Sequence, residues 1–264
     1  MRPPVDDITP PHFPQKLPWI NVASLRMDKQ RGRPVLIEFW DFCRVQSLRT
    51  LPYLKAWHAK YEEAGLRVVS VHSPGFPASR GEDAVREAVD RLDIDHAVLV
   101  DDDLRLWTLY DNEGWPARYL WRPTERGHAL HEFHYGEGGY VETELAIREL
   151  LDLPLDDPAD LVEPVRPEDD PQARVVVPTP EQRGAWSGPY EAGGVWAVLS
   201  GRGVVRVNGR EIAVEHPGVY PLLEHPHHVA GVLELEVGDG VECHAVQFTP
   251  GVVPPDWPEG PAPQ

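Results

Sequence analysis

Residues 34–64 read PVLIEFWDFCRVQSLRTLPYLKAWHAKYEEA and carry two hydrophobic patterns in succession. Pro34 to Trp40 is an almost unbroken run of apolar and β-branched residues, which is typical of a strand covered on both faces in a parallel sheet. From Ser47 to Ala64 the apolar residues recur at helical spacing, which predicts a helix that begins near Ser47. Pro52 lies inside this helix and is expected to kink it, because proline lacks an amide donor and clashes with the preceding turn.

The alternation of strand and helix continues downstream and predicts an α/β layer fold. A polar turn with Pro123 and Gly127 separates two closely spaced strands, which predicts an antiparallel pair. The predicted elements are strand Leu66–Val71, helix Glu82–Leu92, strand Ala97–Val100, short helix Leu104–Tyr110, strands Ala117–Trp121 and Ala129–Tyr135, and helix Val141–Leu151.

The second half of the chain has a different character. Pro154–Gln182 is rich in proline and aspartate, which indicates a linker wrapped on a surface. From Gly194 to Phe248, short alternating segments predict a small all-β sandwich, and Asn208 with Gly209 predicts a hairpin turn within it. We therefore divide the chain into an N-terminal arm at 1–17, an α/β domain at 18–152, a linker at 153–182, a β-sandwich domain at 183–250 and a disordered tail at 251–264.

Length and charge limit the classes of function. With 264 residues, 41% of them hydrophobic, the chain is long enough for two cores. A formal net charge of -18 would repel a phosphate backbone, so no nucleic-acid partner is expected. We find no apolar run of signal-peptide length near the start and none of the roughly 20 residues that span a bilayer. A cytoplasmic protein without a membrane partner or a cofactor is therefore expected.

Four short segments of the α/β domain are similar to the thioredoxin-like family, and specifically to its TlpA and DipZ-type branch of redoxins. The resemblance covers roughly Pro18 to Leu151 and implies a thioredoxin fold there. It is carried by the strand end Ile37–Trp40, the helix residues Leu48–Leu54, the loop Gly114–Ala117 and the start of the last helix at Gly136–Glu144.

The resemblance also implies a redox site, with two cysteines that follow Trp40 by four and seven residues. Those positions hold Arg44 and Ser47, while the two cysteines of the chain are Cys43 and Cys243. Dithiol exchange needs one thiolate to attack and a second thiol to resolve the mixed disulfide, so a degenerate site without this activity is expected. The two cysteines fall in different predicted domains, and no disulfide framework is expected.

Cys43 stands one residue before the first of those positions and has two interpretations. It is either a small, partly buried side chain at a strand end, or a reactive single cysteine. In the second case the N-terminus of the helix, assisted by Arg44 and Arg49, would favour the thiolate. Such a cysteine would need an external thiol reductant, because no second thiol is within reach.

Further residues are placed around the site by the same resemblance. Glu38 takes the place of a buried acid, and is interpreted as a hydrogen-bonded remnant or as a partner of an arginine. Pro116 is expected to be cis and to present the backbone before it to extended peptides. The predicted rim of the site consists of Glu38, Trp40, Arg44, Ser47, His72, Ser73, Pro74, Phe76, Trp115 and Pro116.

The β-sandwich domain resembles, over Gly203–Gly251, the sandwich that follows the thioredoxin unit in DipZ-like proteins, which looks like a carbohydrate-binding module or jelly roll. Aromatic side chains would stack on a sugar if they were exposed, although most aromatic residues of a small sandwich belong to its core. The candidates for stacking are Trp186, Tyr190 and Trp196.

A cupin barrel is a second interpretation of this domain, suggested by the segment Gly201–Gly209 and by three histidines that lie close together at His225, His227 and His228. A metal cupin needs ligands from both earlier and later strands, and residues 195–199 offer none. No metal site is therefore expected, and the histidine run is interpreted as a solvated loop.

These features favour a thioredoxin-fold protein with a degenerate redox site, which binds a protein or peptide partner at the proline face or senses oxidants through one cysteine. Two alternatives stay open. One is an active single-cysteine thiol oxidoreductase or peroxidase that uses Cys43, and the other is a sugar- or ligand-binding module formed by the β-sandwich. Fast reaction of Cys43 with a thiol reagent would favour the enzyme.

Overall fold

The computed structural model describes residues 8–156 and 158–254. The chain divides into two compact units, an N-terminal unit at Met1–Glu163 and a C-terminal unit at Pro164–Gln264. The division lies inside the segment that the composition predicts as a linker.

The N-terminal unit is a six-stranded sheet with helices, in the order β1-β4-β3-β2-β5-β6. Strands β2, β3 and β4 are parallel to one another, while β1 pairs antiparallel with β4, β5 with β2, and β6 with β5. The strands are β1 (Trp19–Ile20), β2 (Val35–Trp40), β3 (Arg67–His72), β4 (Ala97–Val100), β5 (Ala117–Thr124) and β6 (Gly127–Tyr135), and the helices are α1 (Val45–Tyr61), α2 (Glu82–Arg91), α3 (Arg105–Leu109) and α4 (Tyr140–Leu150).

Strand β2 lies in the middle of the sheet, which explains the run of apolar residues from Pro34 to Trp40. It lies between β3 and β5, and all six of its residues are buried. Val35, Ile37 and Phe39 contribute to one core cluster, while Leu36 belongs to another, because successive side chains of a strand point to opposite faces. Both faces of the sheet are therefore covered, and the predicted α/β fold is confirmed.

Helix α1 begins at Val45, two residues before the predicted start, and runs through Pro52 without interruption. Its apolar side chains Tyr53, Leu54 and Trp57 pack with Ile147 of α4 in the cluster that contains Leu36. The other cluster receives Leu106 from α3 and Phe13 from the N-terminal segment. Helices α1 and α4 therefore pack on one face of the sheet, and α3 packs on the other.

The N-terminal segment is part of the unit from residue 8 onwards. Phe13 is only 8% exposed and packs edge-on against Trp19. The C=O of Ile8 accepts the N–H of Leu130 at 2.9 Å, outside the β5–β6 pairing. Strand β1, which pairs with β4, was missed by the sequence analysis because two residues are too few to show periodicity.

The C-terminal unit is all-β and confirms the predicted second fold class. A four-stranded sheet, β12-β9-β14-β8, and a three-stranded sheet, β11-β10-β13, contribute apolar side chains to one common core. Asn208 and Gly209 both have positive φ, as the predicted hairpin requires. The strands are β7 (Val175–Val176), β8 (Gln182–Arg183), β9 (Gly188–Gly201), β10 (Gly203–Val207), β11 (Arg210–Val214), β12 (Gly218–Leu233), β13 (Leu235–Val237), β14 (Val241–Thr249) and β15 (Gly251–Val252).

The predicted linker and tail are more ordered than their composition suggests. In the N-terminal unit, the N–H of Val162 donates to Glu144 Oε2 at 2.8 Å, and Arg148 Nε donates to the C=O of Pro154 at 2.7 Å. In the C-terminal unit, β7 from the linker pairs with β15 from the predicted tail. The rest of the predicted tail, residues 255–264, lies outside the described residues. Within the part of the chain that is described, no helix is long and apolar enough to cross a membrane.

Candidate functional site

Asp41, the first residue after β2, organises the turn that leads into α1. Its buried Oδ1 accepts the N–H of Cys43 at 2.8 Å, and Oδ2 accepts the N–H of Gly75 at 2.7 Å. Its own N–H donates to Ser47 Oγ at 3.2 Å, and its C=O accepts the N–H of Arg44 at 2.9 Å. A Cβ at Gly75 would lie 3.1 Å from Asp41 Oδ2, so glycine lets the loop after β3 approach this turn.

Arg44 is the N-cap residue of α1, and its guanidinium lies over two aromatic rings. Its Cζ is 4.5 Å from the ring centroid of Phe76 and 4.9 Å from that of Trp115. A guanidinium over ring faces at these distances is held by cation–π attraction as well as by packing. The resemblance assigns the first redox sulfur to this position, which is filled by a stacked cation.

The proline loop lies beside this cation. The Trp115–Pro116 peptide bond is cis. Trp115 Nε1 donates to the C=O of Ser73 at 2.8 Å, and its ring packs against Trp107 with centroids 4.2 Å apart. The structure therefore brings together the predicted site residues Arg44, Ser73, Trp115 and Pro116.

The backbone of Trp115 remains available. Its C=O and N–H have no hydrogen-bond partner among the residues that the structure describes, whereas the next C=O, that of Pro116, accepts the N–H of Gly136 at 2.8 Å. The Trp115 side chain is partly exposed. A donor and an acceptor that are both unpaired on one residue are the groups with which an extended chain forms main-chain hydrogen bonds, and a residue before proline favours extended backbone.

Several residues predicted for the rim lie beneath it. Trp40, Ser47 and His72 are at most 1% exposed. The ring of His72 stacks on Phe42 at 5.1 Å and meets Trp40 edge-on at 5.3 Å, while its Nε2 is 3.5 Å from Asp41 Oδ1. Of the predicted rim, only Arg44, Phe76 and Trp115 keep partial exposure, and the other predicted residues are buried.

The interpretation of Cys43 as an activated thiolate does not agree with its surroundings. The side chain is completely buried, and burial raises the pKa of the thiol well above its ordinary value, with the carboxylate of Asp41 acting in the same direction. Arg44 opposes this shift, but its effect is smaller than that of burial. The packing instead matches the other interpretation, a small buried side chain at a strand end.

Glu38 is the centre of a buried polar cluster. Burial raises its pKa to about 8, against the opposing effects of the Arg118 charge and the Ser70 hydrogen bond. Ser70 Oγ donates to Glu38 Oε2 at 3.3 Å, and Arg118 lies opposite Glu38 in the β2–β5 register. This geometry agrees with the interpretation of Glu38 as a hydrogen-bonded residue, and the charge of Arg118 acts on it from the neighbouring strand.

The cluster extends further into the unit. Ser70 Oγ also lies 2.8 Å from His96 Nε2, and the ring of His96 faces that of His58 with centroids 5.7 Å apart. Burial lowers the pKa of His96 to about 3, so it is neutral at physiological pH. The guanidinium of Arg118 donates to the C=O of Gly138. Sequence reasoning missed Asp41, His96 and Arg118. A charged residue inside the predicted strand 117–121 was the signal for the last of them.

The three aromatic candidates of the C-terminal unit differ in burial. Tyr190 is 5% exposed and belongs to the core, whereas Trp186 and Trp196 are partly exposed, and Trp186 meets Phe248 edge-on at the border of that core. The histidine run lies in β12 and not in a solvated loop, which corrects that interpretation. The run lies at a register shift in the pairing of β12 with β9, between Glu224 and Val229.

The histidines themselves have structural contacts. His225 Nε2 lies 2.8 Å from the hydroxyl of Tyr190, and His228 is 2% exposed with its Nε2 at 3.7 Å from Glu191. Within residues 8–156 and 158–254, no three His, Cys, Asp or Glu side chains gather in a group that could hold a metal ion.

Comparisons with known proteins bear on the N-terminal half. No protein-family model matches the chain. Protein DipZ of Mycobacterium tuberculosis is 31% identical over 136 residues, which make up 50% of this chain and 19% of DipZ, so the chain spans about a fifth of that relative. Thiol-disulfide oxidoreductase YkuV of Bacillus subtilis is 27% identical over 133 residues, or 50% of this chain and 87% of YkuV. The solution structure of a thioredoxin-like protein in the oxidized form has 26% identity and a TM-score of 0.46, and covers 56% of this chain and 95% of its own.

Geometry and sequence agree on the N-terminal unit. Its parallel central strands alternate with helices, an antiparallel pair follows, and a proline loop stands beside the turn after β2. The matches to DipZ and YkuV each cover half of this chain. By its order of elements, its proline loop and these sequence matches, the N-terminal unit is similar to the thioredoxin-like redoxins.

Proposed function

We propose that this protein is a thioredoxin-like protein without dithiol activity, which binds an extended segment of a partner protein at its proline loop. The observation that carries the proposal is the combination of an open Trp115 backbone with a stacked arginine, in place of a sulfur, beside it. The scaffold that orients a peptide is present, and the group that would react with one is not.

The chemistry of the site supports the first half of the proposal. Disulfide exchange needs an accessible thiolate and a second thiol whose Cα lies within about 7 Å of the first. Arg44 and Ser47 supply neither sulfur. Cys43 is buried with a raised pKa, and burial raises the pKa of Cys243 to about 11. Oxidant sensing through Cys43 and the use of an external thiol reductant are therefore not favoured.

The backbone geometry supports the second half. An extended segment that adds to an open backbone gains main-chain hydrogen bonds, whatever its side chains are. Trp115 is fixed for this purpose by its indole bond to Ser73 and by its stacking on Trp107. A polypeptide partner also agrees with the net charge of -18, which disfavours nucleic acid.

Insulin reduction tests the absence of dithiol activity. The wild-type chain is expected to show no turnover with dithiothreitol as the electron donor. The double variant Arg44→Cys with Ser47→Cys creates the C-x-x-C spacing and serves as the matched control, in which activity should appear. Robust turnover by the wild type would refute this part of the proposal.

Amide NMR tests the binding. Titration of the ¹⁵N-labelled full chain with carboxymethylated α-lactalbumin, an unfolded polypeptide without free thiols, should shift the amide resonance of Trp115. The amide of Gly209, at the hairpin turn of the other unit, is the internal reference and should stay in place. An unchanged Trp115 resonance at saturating polypeptide would sink the binding proposal.

A further inference from the structure

Two aromatic side chains are exposed at the end of β6. Phe133 is 44% exposed and Tyr135 is 41% exposed, and their ring centroids are 5.8 Å apart. We call these two residues the β6 patch. Large apolar side chains usually lie inside, so two exposed neighbouring rings on one strand mark a candidate contact surface.

The β6 patch lies close to the proline loop. Tyr135 pairs with Ala117, and the N–H of the next residue, Gly136, donates to the C=O of Pro116. Ala117 is two residues from Trp115, which is about 7 Å along an extended chain, and paired strands lie about 5 Å apart. Two or three extended residues are therefore enough to connect the Trp115 backbone with the β6 patch.

A hydrogen-bonded chain holds the patch and the loop in a fixed relation. The hydroxyl of Tyr135 lies 2.8 Å from that of Tyr119, which donates to Asn112 Oδ1 at 2.8 Å. Asn112 Nδ2 in turn donates to the C=O of Gly114 at 3.0 Å, one residue before Trp115. Because all four groups are linked, the patch is positioned together with the peptide-binding backbone.

Strand β6 is also the edge strand of its sheet. The N–H of Leu130 on this edge donates to the C=O of Ile8, so the first part of the edge already forms a main-chain hydrogen bond with the N-terminal segment. An edge of this kind accepts polypeptide in particular, because a paired strand matches its row of donors and acceptors.

We propose that the β6 patch is a second subsite of the proline-loop site and takes an apolar side chain of the bound segment. The inference rests on the proposed function, since it names the kind of segment that this site selects. The bound chain pairs with Trp115 and, two or three residues along, places an aliphatic or aromatic side chain against Phe133 and Tyr135.

Fluorescence anisotropy with the full chain tests the inference. The probes are two labelled synthetic octapeptides, one of alternating threonine and leucine and one of alternating threonine and serine. The wild type should bind the leucine peptide at least about tenfold more tightly, because burial of apolar surface adds to main-chain pairing. Phe133→Ser should remove this preference. Leu109→Ser is the matched control, because Leu109 is 54% exposed on α3, and it should keep the preference.

The outcomes separate this inference from the proposed function. If neither octapeptide shifts the Trp115 amide, the proposed function fails, and the inference fails with it. If both peptides shift that amide but bind with equal affinity, or if Phe133→Ser keeps the preference for leucine, only the inference is overturned. If Phe133→Ser abolishes self-association of the chain in sedimentation and leaves peptide affinity unchanged, the patch contacts a second copy, which also overturns the inference.

Discussion

The buried carboxyl of Glu38 makes a defined contribution to the pH dependence of stability. Burial raises its pKa from an ordinary 4.5 to about 8 in the folded protein. Between these two values the folded chain keeps a proton that the unfolded chain has already released. The free energy of unfolding must therefore fall as the pH rises through this window, because the native state binds more protons than the unfolded state.

Replacing Glu38 by glutamine removes this titration and keeps the shape of the side chain. A pKa that rises from 4.5 to about 8 on folding changes the free energy of unfolding by about 5 kcal/mol between these pH values. This change is a large fraction of the stability of a typical domain. The stability of Glu38→Gln relative to the wild type should therefore increase steadily from pH 4.5 to pH 8 and level off above it. The glutamine oxygen can still accept the Ser70 hydroxyl, so the local hydrogen bond is kept.

Urea unfolding, followed by tryptophan fluorescence at pH values from 5 to 9, measures this difference. The exposed carboxyl of Glu87 on α2 provides the matched control, and Glu87→Gln should show a difference from the wild type that is nearly independent of pH. Other titrating groups cancel in each comparison, because they are common to both proteins. If the free energies of unfolding of the wild type and of Glu38→Gln differed by the same amount at pH 5 and at pH 8, Glu38 would be ionised in the folded protein, which would refute the prediction.

Three further predictions concern buried groups. Cys43 should not react with iodoacetamide at pH 7 in the native protein, because the thiol is buried and its pKa is raised. It should react after unfolding in urea, and mass spectrometry measures both results. Rapid labelling of the native protein would instead support Cys43 as a reactive cysteine. Glu144→Ala should lower the free energy of unfolding by about 3 kcal/mol or more, because it leaves the indole of Trp57 and the hydroxyl of Tyr61 without their acceptor, and a loss below about 1 kcal/mol in urea titration would contradict this. Gly139→Ala should lower the melting temperature, because its φ is +61° and a Cβ there would lie 2.6 Å from the ring of His134; an unchanged midpoint in calorimetry would argue against it.

The elements of the N-terminal unit were predictable because each is long enough to display its own period. Strand β4 was predicted at its observed bounds, and β2, α2 and α4 to within one residue at each end. The short strands β1 and β7 were not predicted, because a strand of two residues has no periodicity of its own and is defined only by the strand with which it pairs. The same reason explains why the predicted tail contained β15, whose partner β7 lies far away in the chain.

The candidate site also has features that the sequence determines and features that only the tertiary structure determines. The sequence alone determined that Cys43, Arg44 and Ser47 follow β2 and that Pro116 precedes β5, and the resemblance assigns the two redox sulfurs to the positions of Arg44 and Ser47. Only the tertiary structure decided their states, because burial and partners depend on chain segments that are distant in sequence. It placed Cys43 beneath the surface, stacked Arg44 on Phe76 and Trp115, and set Arg118 of β5 opposite Glu38 of β2. A residue type fixes what chemistry a side chain can perform, whereas the packed environment fixes its ionisation and access, and with them whether that chemistry takes place.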